Sequence, residues 1–112
     1  MYTYNAQIVD VYDGDTVTAI VDLGFHVQIE IKLRLLGINT PEINSTDSAK
    51  AKMARDYLRK LTLNQKVEIQ TFKDKAEKYG RYLAIIYIKD QYGNKENVNQ
   101  MMLNSGYAKE YL

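Results

Sequence analysis

The sequence predicts an α+β fold that is mainly β: a closed barrel of five strands, with one helix between the third and fourth strands and a short helix near the C-terminus. Three observations favour this fold. Apolar residues alternate with polar ones through much of residues 8–35, change to three- and four-residue spacing over 49–61, and return to strand-like patterns over 67–88. Because 112 residues is about the usual length of one domain, we expect residues 1–112 to form a single domain.

The first three strands are predicted to form a meander. Apolar positions within 8–11 and 17–21 lie on either side of Asp13-Gly14, a dipeptide typical of hairpin turns. After a second turn, strict alternation from Val27 to Leu35 predicts a long third strand, with His26 on its polar face.

The remaining elements follow from the second half of the chain. Apolar residues from Ala49 to Leu61 have helical spacing, which predicts an amphipathic helix. Residues 67–71 and the apolar run from 82 to 88 predict the fourth and fifth strands, and a short helix from about 98 to 104 is expected to end at Gly106. Three strands, a helix and two strands is the element order typical of the oligonucleotide/oligosaccharide-binding (OB) barrel.

Composition narrows the classes of function and site. The chain has no cysteine, which excludes disulfides and thiolate metal sites and leaves oxygen-ligated metals as the plausible ones. A net charge of +1 argues against a protein that coats duplex nucleic acid by charge alone. Neither a secretory signal nor a run of about 18 apolar residues is visible, so a cytoplasmic location is the default expectation and no membrane partner is expected.

Two short segments favour phosphodiester hydrolysis. Glu42 follows Thr40-Pro41, with Arg34 upstream and Arg81 downstream. A carboxylate can take a proton from water, while forked guanidinium groups bind the phosphate and neutralise the charge that develops on it. The segment Asp13-Gly14-Asp15-Thr16 adds oxygen ligands of the kind that a hard divalent cation prefers.

Each of these residues has a plainer interpretation when it is taken alone. Arg34 can be interpreted as a solvated arginine on a strand, and Glu42 as a glutamate in a loop. Asp13-Gly14 can be interpreted as a simple turn signal. Their joint occurrence within a barrel-like pattern favours the nuclease interpretation over these alternatives.

Four segments resemble the staphylococcal nuclease (thermonuclease) family in order and spacing, over a match that runs from about Ile8 to the C-terminus. The segments are Asp13–Thr16, Arg34–Glu42, Glu77–Ala84 and Leu103–Ala108. The resemblance implies an OB barrel that cleaves DNA and RNA phosphodiester bonds with calcium. It implies that Glu42 orients or deprotonates the attacking water, and that Arg34 and Arg81 stabilise the phosphorus-centred transition state.

The resemblance also implies a cation site and a substrate site. One Ca²⁺ would be bound by Asp15, Asn39 and the backbone carbonyl of Thr40, and Lys78 and Tyr79 would contact a terminal phosphate. Tyr82, which follows Arg81, could stack on a base. The expected partners are single-stranded or flexible DNA and RNA.

Asn39 departs from the family pattern, which usually has aspartate immediately before Thr-Pro-Glu. An amide oxygen still ligates calcium, but it brings no charge. We expect a loss of about 1–3 kcal/mol, or on the order of 10- to 100-fold in cation affinity. Asn39 therefore also keeps open the alternative of a weakly active or inactive OB module that binds single-stranded nucleic acid or a protein partner.

Overall fold

The computed structural model describes residues 2–43, 46, 48–73 and 82–111, and its main element is a closed five-stranded barrel. The long strands are β1 (Tyr2–Asp13), β2 (Thr16–Asp22), β3 (Gln28–Leu35), β5 (Lys66–Lys73) and β6 (Tyr82–Lys89). The helices are α1 (Ser48–Thr62) and α2 (Val98–Asn104), and the short strands are β4 (Ile38–Asn39), β7 (Lys95–Asn97) and β8 (Lys109–Glu110).

The strand order confirms the predicted OB barrel. Strands β3, β2, β1, β5 and β6 are neighbours in that order, and each of these pairs is antiparallel. The sheet closes on itself through a parallel pairing of β3 with β6, in which Leu33 lies opposite Tyr82 and Leu35 opposite Ala84. This parallel seam holds the end of β3, which carries Arg34, against the beginning of β6.

The barrel interior is filled by the apolar side chains that the alternation predicts. Fully buried residues come from every long strand and include Ile8, Val17, Leu33, Ile69 and Ile86. The two helices cover the barrel with buried faces of their own: Leu58 of α1 and Met102 of α2 have no exposed surface. Neither helix that the structure describes has the length and apolar character needed to cross a bilayer.

The hairpin between β2 and β3 differs from the prediction. His26 lies in a turn with a positive φ of 63° and not on the third strand, which begins at Gln28. Val27 and Ile29 continue the apolar alternation but are 50% and 41% exposed. Alternation of apolar and polar residues indicates an extended strand with two different faces. It does not indicate whether other residues of the protein pack on the apolar face.

The short strands β4, β7 and β8 were not predicted. Strands β4 and β8 pair over two residues only, Ile38 with Glu110 and Asn39 with Lys109. The chain reaches this pairing after α2 and Gly106, whose φ of +82° is the left-handed conformation expected of a glycine just past a helix. Strand β8 therefore runs beside the segment that carries Asn39.

Candidate active site

Residues from the β1–β2 turn, from the end of β3 and from the segment after it meet in one cleft. Its volume is about 720 Å³, which is within the usual range for ligand sites in proteins. Asp15, Arg34, Asn39 and Glu42 all line it, so the structure brings together four of the predicted site residues.

Asp15 is buried and its carboxylate is held by three groups. Oδ2 accepts a hydrogen bond from the backbone N–H of Thr40 at 3.1 Å, and Oδ1 accepts one from the Thr16 hydroxyl at 3.1 Å. Nη2 of Arg34 lies 3.6 Å from Oδ2. Since these donors come from the first residue of β2, from β3 and from the residue after β4, Asp15 ties together the segments that form the cleft.

Gly14 permits the close approach of these segments. A Cβ atom at position 14 would lie 2.8–2.9 Å from side-chain atoms of Thr40 and 2.8 Å from the Cβ of Ala54 in α1. Such distances are too short for carbon contacts in proteins, so a larger residue would push the turn away from Thr40. The Asp-Gly pair is thus required here for packing space as well as for turning the chain.

Asp13 forms the floor of the cleft beside Asp15. Its Oδ1 accepts a hydrogen bond from the backbone N–H of Asp15 at 3.0 Å, and the residue is buried. Burial, together with a side-chain hydrogen bond to Asp15 and the charge of Asp15, raises the pKa of the Asp13 carboxyl to about 7, although the hydrogen bond from the Asp15 backbone N–H acts in the opposite direction. The Asp13 carboxyl is therefore only partly ionised near neutral pH when no cation is bound.

The guanidinium of Arg34 is held on its edges and on one face. Nη1 donates to the carbonyl of Ile38 at 3.3 Å, and Nη2 donates to the side-chain oxygen of Asn39 at 3.2 Å. The ring of Tyr111 lies over the guanidinium, with 4.9 Å between Cζ and the ring centroid. Five N–H donors are available on an arginine side chain, so these contacts leave donors for a phosphate.

The chemistry of the donor set fits one weakly bound hard cation. Asp13, Asp15 and Asn39 supply oxygen donors to the same cleft, and the buried Thr40 hydroxyl has no hydrogen-bond partner among the described residues. Within the part of the chain that the structure describes, however, no three carboxylate or imidazole side chains are grouped as a metal site. A cation here would depend on amide, carbonyl and water oxygens besides one or two carboxylates.

Three predicted site residues, Lys78, Tyr79 and Arg81, lie outside the described residues. Tyr82, the first residue of β6, is 38% exposed and pairs with Leu33, the neighbour of Arg34. Glu42 is exposed and lines the same cleft as Asn39.

Two residues that support the site were not identified from the sequence. Asn99 of α2 is buried; its side-chain oxygen accepts from the N–H of Ile86, and its amide donates to the carbonyls of Leu36 and Ala84. Tyr111, the second, contacts Arg34. For Asn99, the one available signal in the sequence was a polar residue at a buried position of a predicted helix. Nothing in the sequence indicates that Tyr111 contacts Arg34.

Comparisons with known proteins agree with the fold. The family model described as staphylococcal nuclease homologue matches residues 32–112. The chain is 32% identical to a thermonuclease of Staphylococcus hyicus over 92% of the chain, and 30% identical to a micrococcal nuclease of Shigella flexneri over 96% of it. It is also 34% identical, over 97% of the chain, to an uncharacterised protein of Methanocaldococcus jannaschii.

The chain spans about three fifths of the length of these relatives: 57% of the thermonuclease, 59% of the micrococcal nuclease and 60% of the archaeal protein. Within that span the family model covers residues 32–112, which include the end of β3, both helices and the parallel seam of the barrel. The chain belongs to the staphylococcal nuclease family.

Proposed function

We propose that this protein is a calcium-dependent nuclease that hydrolyses DNA and RNA phosphodiester bonds, and that residues 1–112 act as one OB-fold domain. The observation that carries the proposal is the convergence of Asp15, Arg34, Asn39 and Glu42 on one cleft in a member of this family. Relatives named thermonuclease and micrococcal nuclease support the reaction class.

Arg34 is proposed to bind and neutralise the phosphate. Its contacts with Ile38 and Asn39 fix the plane of the guanidinium before substrate arrives, so little reorganisation is needed when charge develops on the phosphate oxygens. Arg81 is proposed as the second arginine, which stabilises the leaving oxygen. Its place in the motif supports this role, and so does the pairing of the next residue, Tyr82, with Leu33 beside Arg34.

Glu42 is proposed to orient or deprotonate the attacking water. It follows Pro41, whose ring restricts the backbone, and it lines the same cleft as Arg34. A carboxylate that borders the cleft can accept a proton from a water molecule bound there.

The proposed calcium ligands are Asp15, Asn39 and the carbonyl of Thr40. When bound, the ion would supply positive charge that stabilises the phosphate oxygens and helps to orient water. The carboxylates of the cleft support a need for a cation: among the described residues, five carboxyl side chains line it, from Asp10, Asp13, Asp15, Glu30 and Glu42. These groups repel a polyanion, and a bound cation offsets that repulsion.

The proposed substrate is flexible, unpaired nucleic acid. With a net charge of +1 the chain has little general attraction for a duplex, so binding depends on local contacts with one or two phosphates. Lys78 and Tyr79 are proposed to contact a terminal phosphate, and the exposed ring of Tyr82 is proposed to stack on a base.

Asn39 supports a second candidate, a catalytically weak OB module that binds single-stranded nucleic acid or a protein partner. An amide in place of a carboxylate weakens the cation site and with it the cleavage reaction. The two functions differ in one measurement, because the module would bind denatured DNA without cutting it.

The experiment is release of acid-soluble nucleotides from denatured and duplex DNA, with calcium and with excess chelator. We expect cleavage that requires calcium, is faster on denatured DNA and is lost in Glu42→Gln. Undiminished cleavage in chelator would overturn the metal requirement, and equal rates on both substrates would overturn the preference for unpaired strands. Binding of denatured DNA without cleavage would favour the module.

A further inference from the structure

The ring of Tyr111 covers one face of the Arg34 guanidinium. The arginine side chain is only 14% exposed, whereas 56% of Tyr111 is exposed. The tyrosine is thus not a core residue, and its contact with Arg34 is made at the rim of the cleft. A cation over an aromatic face at 4.9 Å from the centroid lies within the range of an effective cation–π contact.

Backbone pairing fixes the position of Tyr111. Strand β8 pairs with β4, so Glu110 lies opposite Ile38, and the N–H of Tyr111 donates to the carbonyl of Gly37 at 2.9 Å. The same β4 segment supplies the Ile38 carbonyl that accepts from Arg34. The β4–β8 pair therefore positions both the Ile38 carbonyl, which contacts the edge of the Arg34 guanidinium, and the Tyr111 ring, which covers its face.

We propose that Tyr111 is a positioning residue for Arg34, an inference that rests on the proposed nuclease function. The hydrogen bonds to Ile38 and Asn39 set the plane of the guanidinium but do not stop it from swinging out of that plane. The Tyr111 ring blocks this movement on one face. A displacement of the donors by about 1 Å is enough to slow catalysis markedly.

Kinetics on a short single-stranded oligonucleotide with saturating calcium test the proposal. In Tyr111→Leu we expect kcat to fall about tenfold, equivalent to about 1.4 kcal/mol of transition-state stabilisation, with KM changed less than about twofold. In Tyr111→Phe, which keeps the ring, kcat should stay within about twofold of the parent. Tyr92→Leu, at an exposed turn outside the cleft, is the matched control and should leave both constants unchanged.

A second readout does not depend on cleavage. In NMR spectra of the substrate-free protein, the Nε–H of Arg34 should show a ring-current shift and slow exchange with water. Both should be lost in Tyr111→Leu and kept in Tyr111→Phe. If the parent cuts no substrate, the nuclease function fails, while these spectra still decide whether Tyr111 holds Arg34.

Four results would overturn the positioning role. Unchanged Arg34 signals in Tyr111→Leu would show that the ring does not restrain the guanidinium. An unchanged kcat despite altered signals would show that the restraint is irrelevant to the reaction. A rise in KM alone, or an equal loss in Tyr111→Phe, would assign Tyr111 to direct contact with the substrate.

Discussion

The side-chain oxygen of Asn39 accepts a hydrogen bond from Nη2 of Arg34 at 3.2 Å. The residue proposed to ligate the cation therefore also holds the arginine proposed to bind the phosphate. A carboxylate at this position has two oxygens, one for each of these tasks, and it adds the charge that an amide lacks.

Asn39→Asp should tighten calcium binding and raise the cleavage rate at limiting calcium by on the order of 10- to 100-fold. In the calcium-free protein the new carboxylate lies in a cleft that already contains Asp13 and Asp15, so the variant should be slightly less stable than the parent until calcium is added. Paired calcium titrations of cleavage rate and of thermal midpoint measure both effects.

Asn5→Asp is the matched control for charge, because Asn5 is exposed and lies on the first half of β1, outside the cleft. It should leave the calcium dependence unchanged. If Asn39→Asp and Asn5→Asp behave alike in both titrations, position 39 does not ligate the cation.

Arg34→Lys should reduce the cleavage rate on the order of 10³-fold, since an ammonium keeps the charge but cannot hold two phosphate oxygens with a planar fork. The variant should also lose about 1–2 kcal/mol of unfolding free energy, because the contacts with Ile38 and Asn39 cannot be kept together. Rates and urea denaturation curves give the two values. The motif predicts a similar loss of rate for Arg81→Lys.

Arg59→Lys is the control variant that distinguishes a loss of stability from a loss of catalysis. Arg59 donates through Nε and Nη2 to the carbonyl of Val11 but does not line the cleft. Its replacement should cost stability without a comparable loss of rate. An Arg34→Lys variant that keeps more than about a tenth of the parent rate would contradict the role given to Arg34.

Asp13 should make the calcium-free protein less stable as pH rises. Burial raises the pKa of its carboxyl to about 7 in the folded state, whereas the unfolded value is near 3.8. Between these two values the folded protein holds a proton that the unfolded chain releases, so the unfolding free energy falls with increasing pH and levels off above about pH 7. From pH 5 to pH 8 this contribution amounts to about 2–3 kcal/mol.

Asp13→Asn removes the titrating group while keeping an oxygen that can accept from the N–H of Asp15. Unfolding free energies of parent and variant, measured in chelator at pH 5 and pH 8, should therefore differ in their pH dependence. Contributions from groups that do not interact with Asp13 cancel in this comparison. Parallel curves for the two proteins would show that Asp13 titrates alike in the folded and unfolded states.

Asn99→Ala should destabilise the protein by about 2–4 kcal/mol, because the N–H of Ile86 and the carbonyl of Leu36 are left buried without their partner. Asn99→Asp should not rescue the loss, since an ionised carboxylate cannot donate to the two carbonyls. Asn104→Ala, on the exposed end of α2, should change stability by less than about 0.5 kcal/mol. Urea denaturation of the three variants tests this prediction, and an Asn99→Ala protein as stable as Asn104→Ala would contradict it.

The barrel was predictable because its pattern is local. Alternation between Val27 and Leu35, helical spacing from Ala49 and the apolar run after Tyr82 each indicate one element. Their order favours the OB barrel, and the resemblance of four segments to the nuclease family adds the support that element order alone lacks. The convergence of Asp15, Arg34, Asn39 and Glu42 on one cleft was predictable from the motifs that contain them.

The contacts that support the cleft could not be predicted in the same way. The pairing of β4 with β8 involves two residues on each strand, too few to leave a periodic pattern. The three hydrogen bonds of Asn99 and the contact of Tyr111 with Arg34 join residues more than 10 positions apart in the chain. Such contacts depend on the closed barrel, so they become visible only in three dimensions.

The parallel seam between β3 and β6 has a consequence for the order of folding. The β1–β2 and β2–β3 hairpins close short loops, whereas the pairing of Leu33 with Tyr82 closes a loop of about 50 residues, at a greater cost in chain entropy. We expect the meander to form early and the seam to form late. Because Arg34 lies on β3 at this seam, a partly folded chain has no complete cleft, and any cleavage activity should appear only with the last step of folding.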